Sequence, residues 1–266
     1  MTEKPIVVEK PKSNLVRNLL IFLFIAAAFI WSAAGINYKG IMATASGTLR
    51  SMWNGIKNPD MEYVKNMTID GLPYALLETL AIAASGTFFS GIISVPFALL
   101  ASQNIVGKKM SKVGKFIITC IRVFPELILA IIFIKILGPG AMAGVMALGI
   151  HSIGMLGKLF SEAIESIDMG PVEAMDACGA TTLQKLIHAV IPGVMPALMG
   201  FTLYRFEINS RAASTLGIVG AGGIGAPLLF AITGRNWSKS FTIVIALILT
   251  VVVVDIVSGS IRKRIH

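Results

Sequence analysis

Apolar residues fill this chain in long blocks, separated by short polar or glycine- and proline-rich breaks. The blocks cover residues 15–36, 74–102, 116–137, 141–160, 194–216 and 241–258. A helix needs about 20 mostly apolar residues to cross the hydrocarbon core of a bilayer, and each block is close to that length. The pattern predicts an all-α, polytopic membrane helix bundle of six spans. Pro96 lies inside the second block and predicts a kink. Gly138-Pro139-Gly140 forms a tight turn between the third and fourth. The basic head before the first block (Lys4, Lys10, Lys12, Arg17) has the look of a secretory signal, but the apolar run is too long for one. It reads as an uncleaved anchor. The chain then divides into a tail at 1–14, the anchor at 15–36, an external loop at 37–73, a membrane core at 74–258 and a tail at 259–266.

Composition narrows the class. Of the 266 residues 55% are hydrophobic and 14% charged, with a mean hydropathy of +0.79. A soluble domain carries about 25% charged residues, so a soluble globular or disordered chain is excluded. The net charge of +9 could point to nucleic acid, but its placement points elsewhere. With the N-terminus inside, thirteen of the 23 Lys and Arg fall on inner segments, seven on outer segments, and Arg122, Arg205 and Arg211 within spans. That bias follows the positive-inside rule and places both termini and the segment 161–190 in the cytoplasm. Partner expectations are therefore a lipid bilayer and no nucleic acid. Cys120 and Cys178 lack neighbouring ligand clusters and read as packing residues, so no metal is expected. No P-loop, HExxH or GxSxG occurs, and no enzyme activity or cofactor is expected in this chain. Gly220 to Gly225 satisfies GxGxxG, but no strand precedes it and the next acid is Asp255, so a dinucleotide site is excluded.

The inner segment is unusual. After Met169-Gly170-Pro171 a short helix is predicted over about 172–187, with Glu173 and Asp176 in its acidic start. Interfacial helices usually carry Lys or Arg on the polar face, whereas this one begins acidic, which invites a protein partner. Glu173-Ala174-Met175, a three-residue spacer, Gly179, then Ala189 and Ile191-Pro192 resemble the EAA loop of the membrane subunits of bacterial ABC importers. The spacing is kept, while Met175, Ala189 and Ile191 depart conservatively from that pattern. A second stretch, from Tyr204-Arg205-Phe206-Glu207 to Gly222-Gly223-Ile224-Gly225, resembles the phosphonate importer permease (PhnE) family, as does Arg122-x-x-Pro125-Glu126. The resemblance covers about residues 70–260. It implies a bacterial inner-membrane permease that works as a pair with a second copy of itself. It also implies a cytoplasmic ATPase dimer that holds the ATP and Mg, and an external substrate-binding protein. The coupling residues it implies are Glu173, Ala174, Asp176, Gly179 and Thr182, and the cargo is phosphonate or a related phosphorus oxyanion.

Charges within spans cost about 2.5–3.5 kcal/mol each, so they need partners or water. Glu207 and Arg211 lie at i, i+4, as do Arg122 and Glu126, although Pro125 disturbs that turn. Arg205 points to another face. With Glu78 the spans hold three arginines and three glutamates, a balanced lining. Two readings stand: internal salt bridges that fix the bundle, or a polar pathway offering donors to an anion. Gly220, Gly222 and Gly223 predict a break in the backbone of the pathway. His151 reads as a packing residue and His188 as solvated. A self-sufficient secondary transporter or channel would also explain the intramembrane charges, but it leaves the EAA spacing without a reason.

Overall fold

The computed structural model describes residues 15–34 and 38–265. The sequence-predicted tail at 1–14, and residues 35–37 of the anchor and loop, lie outside the described residues. All described elements are helical: α1 (Leu15–Ala34), α2 (Tyr38–Lys57), α3 (Met61–Lys65), α4 (Leu72–Ala101), α5 (Gln103–Val123), α6 (Glu126–Leu137), α7 (Ala141–Glu165), α8 (Gly170–Ala177), α9 (Thr182–Lys185), α10 (Ile191–Ile218), α11 (Gly225–Thr233) and α12 (Trp237–Ile265). A π-helical turn, Leu186–Val190, joins α9 to α10. The chain forms two compact units, one ending at Ser51 and the other beginning at Met52. The first holds α1, apolar after Arg17 and Asn18, and most of α2. The second holds everything that follows.

The larger unit is built on α4 and α7, which run side by side. Hydrocarbon tails are as apolar as leucine, so nothing like water drives membrane helices together, and close van der Waals approach must do it instead. The sequence supplies small residues for that purpose. A Cβ at Gly86 of α4 would sit 3.2 Å from the Leu148 side chain and 3.4 Å from the Gly149 backbone. Ala83, Ala147 and Leu148 are fully buried between the two helices. Farther along α7, Gly154 meets the backbone of Arg122 on α5, where an added Cβ would lie 2.9 Å from the nitrogen. Helix α10 closes over both, and α12 lies against α10 and α11.

The third predicted span is not one straight helix. Helices α5 and α6 meet at 77° across Phe124-Pro125. Phe124 precedes a proline, which pushes it into the extended conformation (φ −72°, ψ 119°), and Pro125 has no N–H to continue the ladder. The carbonyl freed at the break is met by His151 Nδ1, which donates to Phe124 O at 3.1 Å. His151 thus packs as expected, and its task is to satisfy a broken helix. Helix α5 also begins earlier than expected, taking in the basic stretch 108–115. Four helices are long and apolar enough to cross a membrane among the described residues, and five if the bent pair counts as one span.

The two ends of the bundle differ. At one end, the close of α4 and α7 is tied by Gln103 N to Glu165 Oε1 (2.9 Å), Asn104 Nδ2 to Ile164 O (2.6 Å) and Lys115 Nζ to Glu165 (2.8 Å). Helices α8 and α9 lie at this end. At the other, Asp60 N donates to Thr242 Oγ1 at 2.8 Å, anchoring α3 to α12. The glycine segment lies here too. Helix α10 stops at Ile218, and Gly220 takes φ 97°, which closes a Schellman turn through Ala221 N to Leu216 O (3.1 Å) and Gly220 N to Gly217 O (3.0 Å). The chain is then clasped onto α4 and α7. Gly140 N donates to Gly220 O at 2.9 Å, and Ile224 N donates to Thr79 Oγ1 at 2.8 Å. The break in the backbone that the glycines predict is present, and it is closely packed.

Thr79 is 4% exposed and also donates to Ala75 O at 2.7 Å, so it is the link between α4 and this clasp. Thr79→Val keeps the shape but strands the buried Ile224 N–H, which costs about 1–3 kcal/mol. Thermal unfolding in detergent is expected to show a lower midpoint for Thr79→Val and near-recovery for Thr79→Ser. An unchanged Thr79→Val would mean that the clasp does not stabilise the bundle.

Candidate functional site

The EAA-like segment folds as two short helices, not as the single helix predicted over 172–187. The cause is Gly179. Helix α8 ends at Ala177, and Gly179 adopts φ 74°, the left-handed conformation that L side chains avoid. Its N–H bonds to Asp176 O at 2.9 Å and the Ala180 N–H to Met175 O at 3.0 Å, a second Schellman turn. The next helix begins at once. Thr181 caps α9, its backbone N–H donating to Gln184 Oε1 at 2.7 Å, while the Gln184 N–H returns to Thr181 Oγ1 at 3.4 Å. Asp176 and Lys185 close the hairpin with a 2.6 Å ion pair.

This hairpin has an inner and an outer side. Val172 is buried with Ala189, Val190 and Val194, and Met175 packs on the same cluster. Glu173, Ala174, Asp176, Gly179 and Thr182 are exposed, and Leu183 is 65% exposed beside them. The five coupling residues implied by the EAA resemblance are thus all exposed on the hairpin. A Cβ at Gly179 would meet nothing within 4 Å, so within this chain the glycine is required by its backbone angle alone.

Helix α10 carries two separate polar faces, as the spacing of its charges predicts. On the outer face Arg211 Nη2 donates to Glu207 Oε1 at 2.9 Å, and Arg262 of α12 approaches Glu207 Oε2 at 3.9 Å. On the inner face Arg205 and Asn209 lie one turn apart, 3% and 0% exposed. Asn209 Nδ2 donates to Thr87 Oγ1 of α4 (2.8 Å) and to Ser152 Oγ of α7 (3.0 Å). Arg205 Nε donates to Ser152 Oγ at 2.8 Å, and its Nη1 lies 3.1 Å from Met155 Sδ. Its Nη2 is buried with no partner. No carboxylate comes within 4.0 Å of this guanidinium among the described residues.

The remaining expected residues separate. Arg122 is exposed near the end of α5, and Glu126 opens α6, half-buried; the helix break keeps them from forming an ion pair. Gly220, Gly222 and Gly223 lie in the clasp at the far end. The sequence reading missed Thr87, Ser152 and Asn209. Asn209 was within reach, because it stands four residues after Arg205 on one helical face. Thr87 and Ser152 carried no signal, since hydroxyl residues are common among small positions of membrane helices.

Residues 94–266 match the family described as binding-protein-dependent transport system inner membrane component. This chain belongs to that family. The phosphite transport system permease protein PtxC of Stutzerimonas stutzeri is 41% identical over 190 residues, 71% of this permease chain and 69% of that protein. The phosphate-import permease protein PhnE of Mycolicibacterium smegmatis is 39% identical over 188 residues, covering 70% of this chain and 35% of that protein's length. Among solved structures, the MetNI methionine ABC transporter in inward-facing conformations has a chain that aligns with a TM-score of 0.64 at 23% identity. The alignment covers 72% of this chain and 94% of that one, and the likeness is one of fold. The resemblance to phosphonate-type ABC importer permeases read from Tyr204–Gly225 and the EAA spacing is thus borne out at the level of family.

The outer face of α10 allows a direct energetic test. Glu207 is 12% exposed, but Arg211 and Arg262 are 54% and 37% exposed, so solvent screens the cluster. Glu207→Gln is expected to lower the thermal midpoint in detergent, with a coupling to Arg211→Gln of no more than about 1 kcal/mol. The double variant should recover part of the loss. Additive losses in a double-mutant cycle would show that the pair contributes nothing.

Proposed function

We propose that two copies of this chain form the translocation pathway of an ATP-driven importer for phosphonate or a related phosphorus oxyanion such as phosphite or phosphate. The chain crosses the bacterial inner membrane six times, with α1 and the bent α5–α6 pair each taken as one span, and both termini are cytoplasmic. The α8–α9 hairpin docks on a cytoplasmic ATPase, which binds ATP and Mg, and an external binding protein delivers the cargo at the opposite end. The charge bias of the inner segments supports the orientation. The outward, acidic surface of the hairpin supports docking. The names of the relatives at about 40% identity support the cargo class.

The observation that carries the cargo assignment is Arg205. A buried charge without a counter-ion is costly, and evolution would more easily have filled the site with an apolar residue. The group is fixed from one side by Ser152 and Met155, with Asn209 holding Ser152 in turn, so the unpaired Nη2 stands ready for an acceptor that the chain itself does not supply. An oxyanion passing between the two copies is such an acceptor, and a guanidinium is suited to tetrahedral oxyanions. ATP-driven closure moves the hairpins and, through α10, rotates the Arg205 face towards or away from the pathway. One arginine per copy is enough to admit an anion without trapping it, which matches a lining that is balanced overall.

Arg205→Met separates this role from a structural one. Replacing an unpaired buried charge by an apolar side chain of similar length is expected to leave folded yield and thermal midpoint unchanged or higher. Uptake of phosphite or phosphonate by the assembled transporter should fall at least tenfold, with binding-protein-stimulated ATP hydrolysis retained. Wild-type uptake by Arg205→Met would sink the assignment.

Coupling has its own test. Gly179→Arg puts a long cation on the outward turn and strains its left-handed backbone, so ATP-driven uptake should be lost while membrane insertion is kept. Asparagine tolerates that backbone, and Gly179→Asn should retain much of the activity. Uptake at the wild-type rate in Gly179→Arg would contradict docking through this turn.

A further inference from the structure

The end of the bundle opposite the hairpin holds a cleft whose lining includes none of the residues assigned to the pathway. Its volume is about 560 Å³, and it opens between α3, the loop before α4, α11 and the start of α12. Tyr63, Asp70, Asn236 and Lys239 supply its polar groups, and Ile69 and Phe230, each 74% exposed, form an apolar rim. The walls are well anchored. Asp60 caps α3 by accepting from the Tyr63 N–H at 3.0 Å, and Asn66 Oδ1 accepts from the Thr68 N–H at 3.0 Å to turn the chain towards Asp70. Gly71 must be glycine, because a Cβ there would lie 1.8 Å from Asn66 O.

The charges in this cleft do not cancel each other. Lys239 Nζ stands 4.1 Å from the centre of the Tyr63 ring, a cation–π contact that holds the ammonium in place. No ion pair joins Lys239 to Asp70 among the described residues. Asn236 Oδ1 is occupied by the Lys239 N–H at 3.1 Å, which leaves its amide N–H groups for a ligand. Tyr63 is 6% exposed and its hydroxyl has no hydrogen-bond partner. Burial, and after it the neighbouring Asp60 and Asp70 carboxylates, raise the Tyr63 pKa above the ordinary phenol value, so the group remains a donor at neutral pH. The cleft therefore offers one cation, one anion that is not ion-paired to it, neutral donors, and an apolar rim formed by Ile69 and Phe230.

We propose that this cleft binds a zwitterion in which a phosphate-type oxyanion and an ammonium are a few bonds apart, the oxyanion facing Lys239 and Asn236 and the ammonium facing Asp70. An isolated dianion fits worse, because Asp70 repels it. A plain amine fits worse, because Lys239 repels it. The same chemistry comes from two sources: the headgroup of phosphatidylethanolamine, whose acyl chains would run along Phe230, or a free solute such as phosphoethanolamine. The proposal rests on the cleft alone and not on the cargo of the pathway.

The test uses the full chain in nanodiscs. In mixed phosphatidylethanolamine and phosphatidylglycerol discs, native mass spectrometry of the released protein reads which lipid is retained. In discs of phosphatidylglycerol alone, calorimetric titration with phosphoethanolamine reads the free solute. Either phosphatidylethanolamine retained over phosphatidylglycerol, or phosphoethanolamine bound, with a loss of about tenfold in both Lys239→Gln and Asp70→Asn, supports the proposal and identifies the source. Tyr63→Phe removes only an unpaired hydroxyl from a buried ring, so the protein should keep its thermal midpoint while binding weakens severalfold. Neither probe binding above the level of the Lys239→Gln, Asp70→Asn double variant would overturn it. Inorganic phosphate binding as tightly as phosphoethanolamine would overturn it as well, because the ammonium would then go unrecognised.

Discussion

The larger unit depends on how closely α4 and α7 can approach. Glycine and alanine at Gly86, Ala83, Ala147 and Gly149 let two backbones lie almost in contact, and α5, α6 and α10 pack against this pair. Helix α10 fills the groove the pair creates, and α5 reaches α7 through Gly154. The glycine clasp reaches it through Gly144, where an added Cβ would lie 2.5 Å from Ala221 O. In water such packing would be one contribution beside the hydrophobic effect. In a bilayer it is the main source of attraction between helices, so the small residues carry the fold.

Buried hydroxyls in the spans mostly follow a simple rule. Most buried hydroxyls bond to the carbonyl one turn back on their own helix: Thr79 to Ala75, Thr87 to Ala83 and Ser102 to Ala98, each at 2.7 Å. This satisfies them without help from a neighbour. Asn209 goes further and stitches α10 to α4 and α7. Arg205 stands apart, because the hydroxyl and thioether it meets carry no charge. Under the function proposed above, the arriving oxyanion supplies the acceptor that the helices do not.

Much of this was legible in the sequence. Hydrophobic blocks marked α4, α7, α10 and α12, and the EAA spacing together with Tyr204–Gly225 marked the family. The i, i+4 spacing gave the Glu207–Arg211 pair, and the glycines gave the break after Ile218. What the sequence hid were backbone events. Hydropathy does not register a bend, so Phe124-Pro125 was absorbed into one span although the proline was in view. The resemblance implies Gly179 as a coupling residue, whereas the chain needs it first for a left-handed turn. The partners of Arg205 were invisible, because Ser152 and Met155 stand 53 and 50 residues earlier in the chain.

The two turns at Gly179 and Gly220 share a geometry but sit in opposite surroundings. Around Gly220 the backbone is gripped by α7 through Gly140, so that end can move only with the bundle. Around Gly179 nothing touches the turn, and the hairpin is held mainly through Val172, Met175 and the Asp176–Lys185 pair. One end is thus tied into the packing, and the other projects a preformed but lightly held surface. A force applied at the hairpin would be carried into the bundle along α10, the helix that also bears Arg205 and ends in the clasp. The same helix therefore links the exposed hairpin, the buried Arg205 and the tightly packed far end.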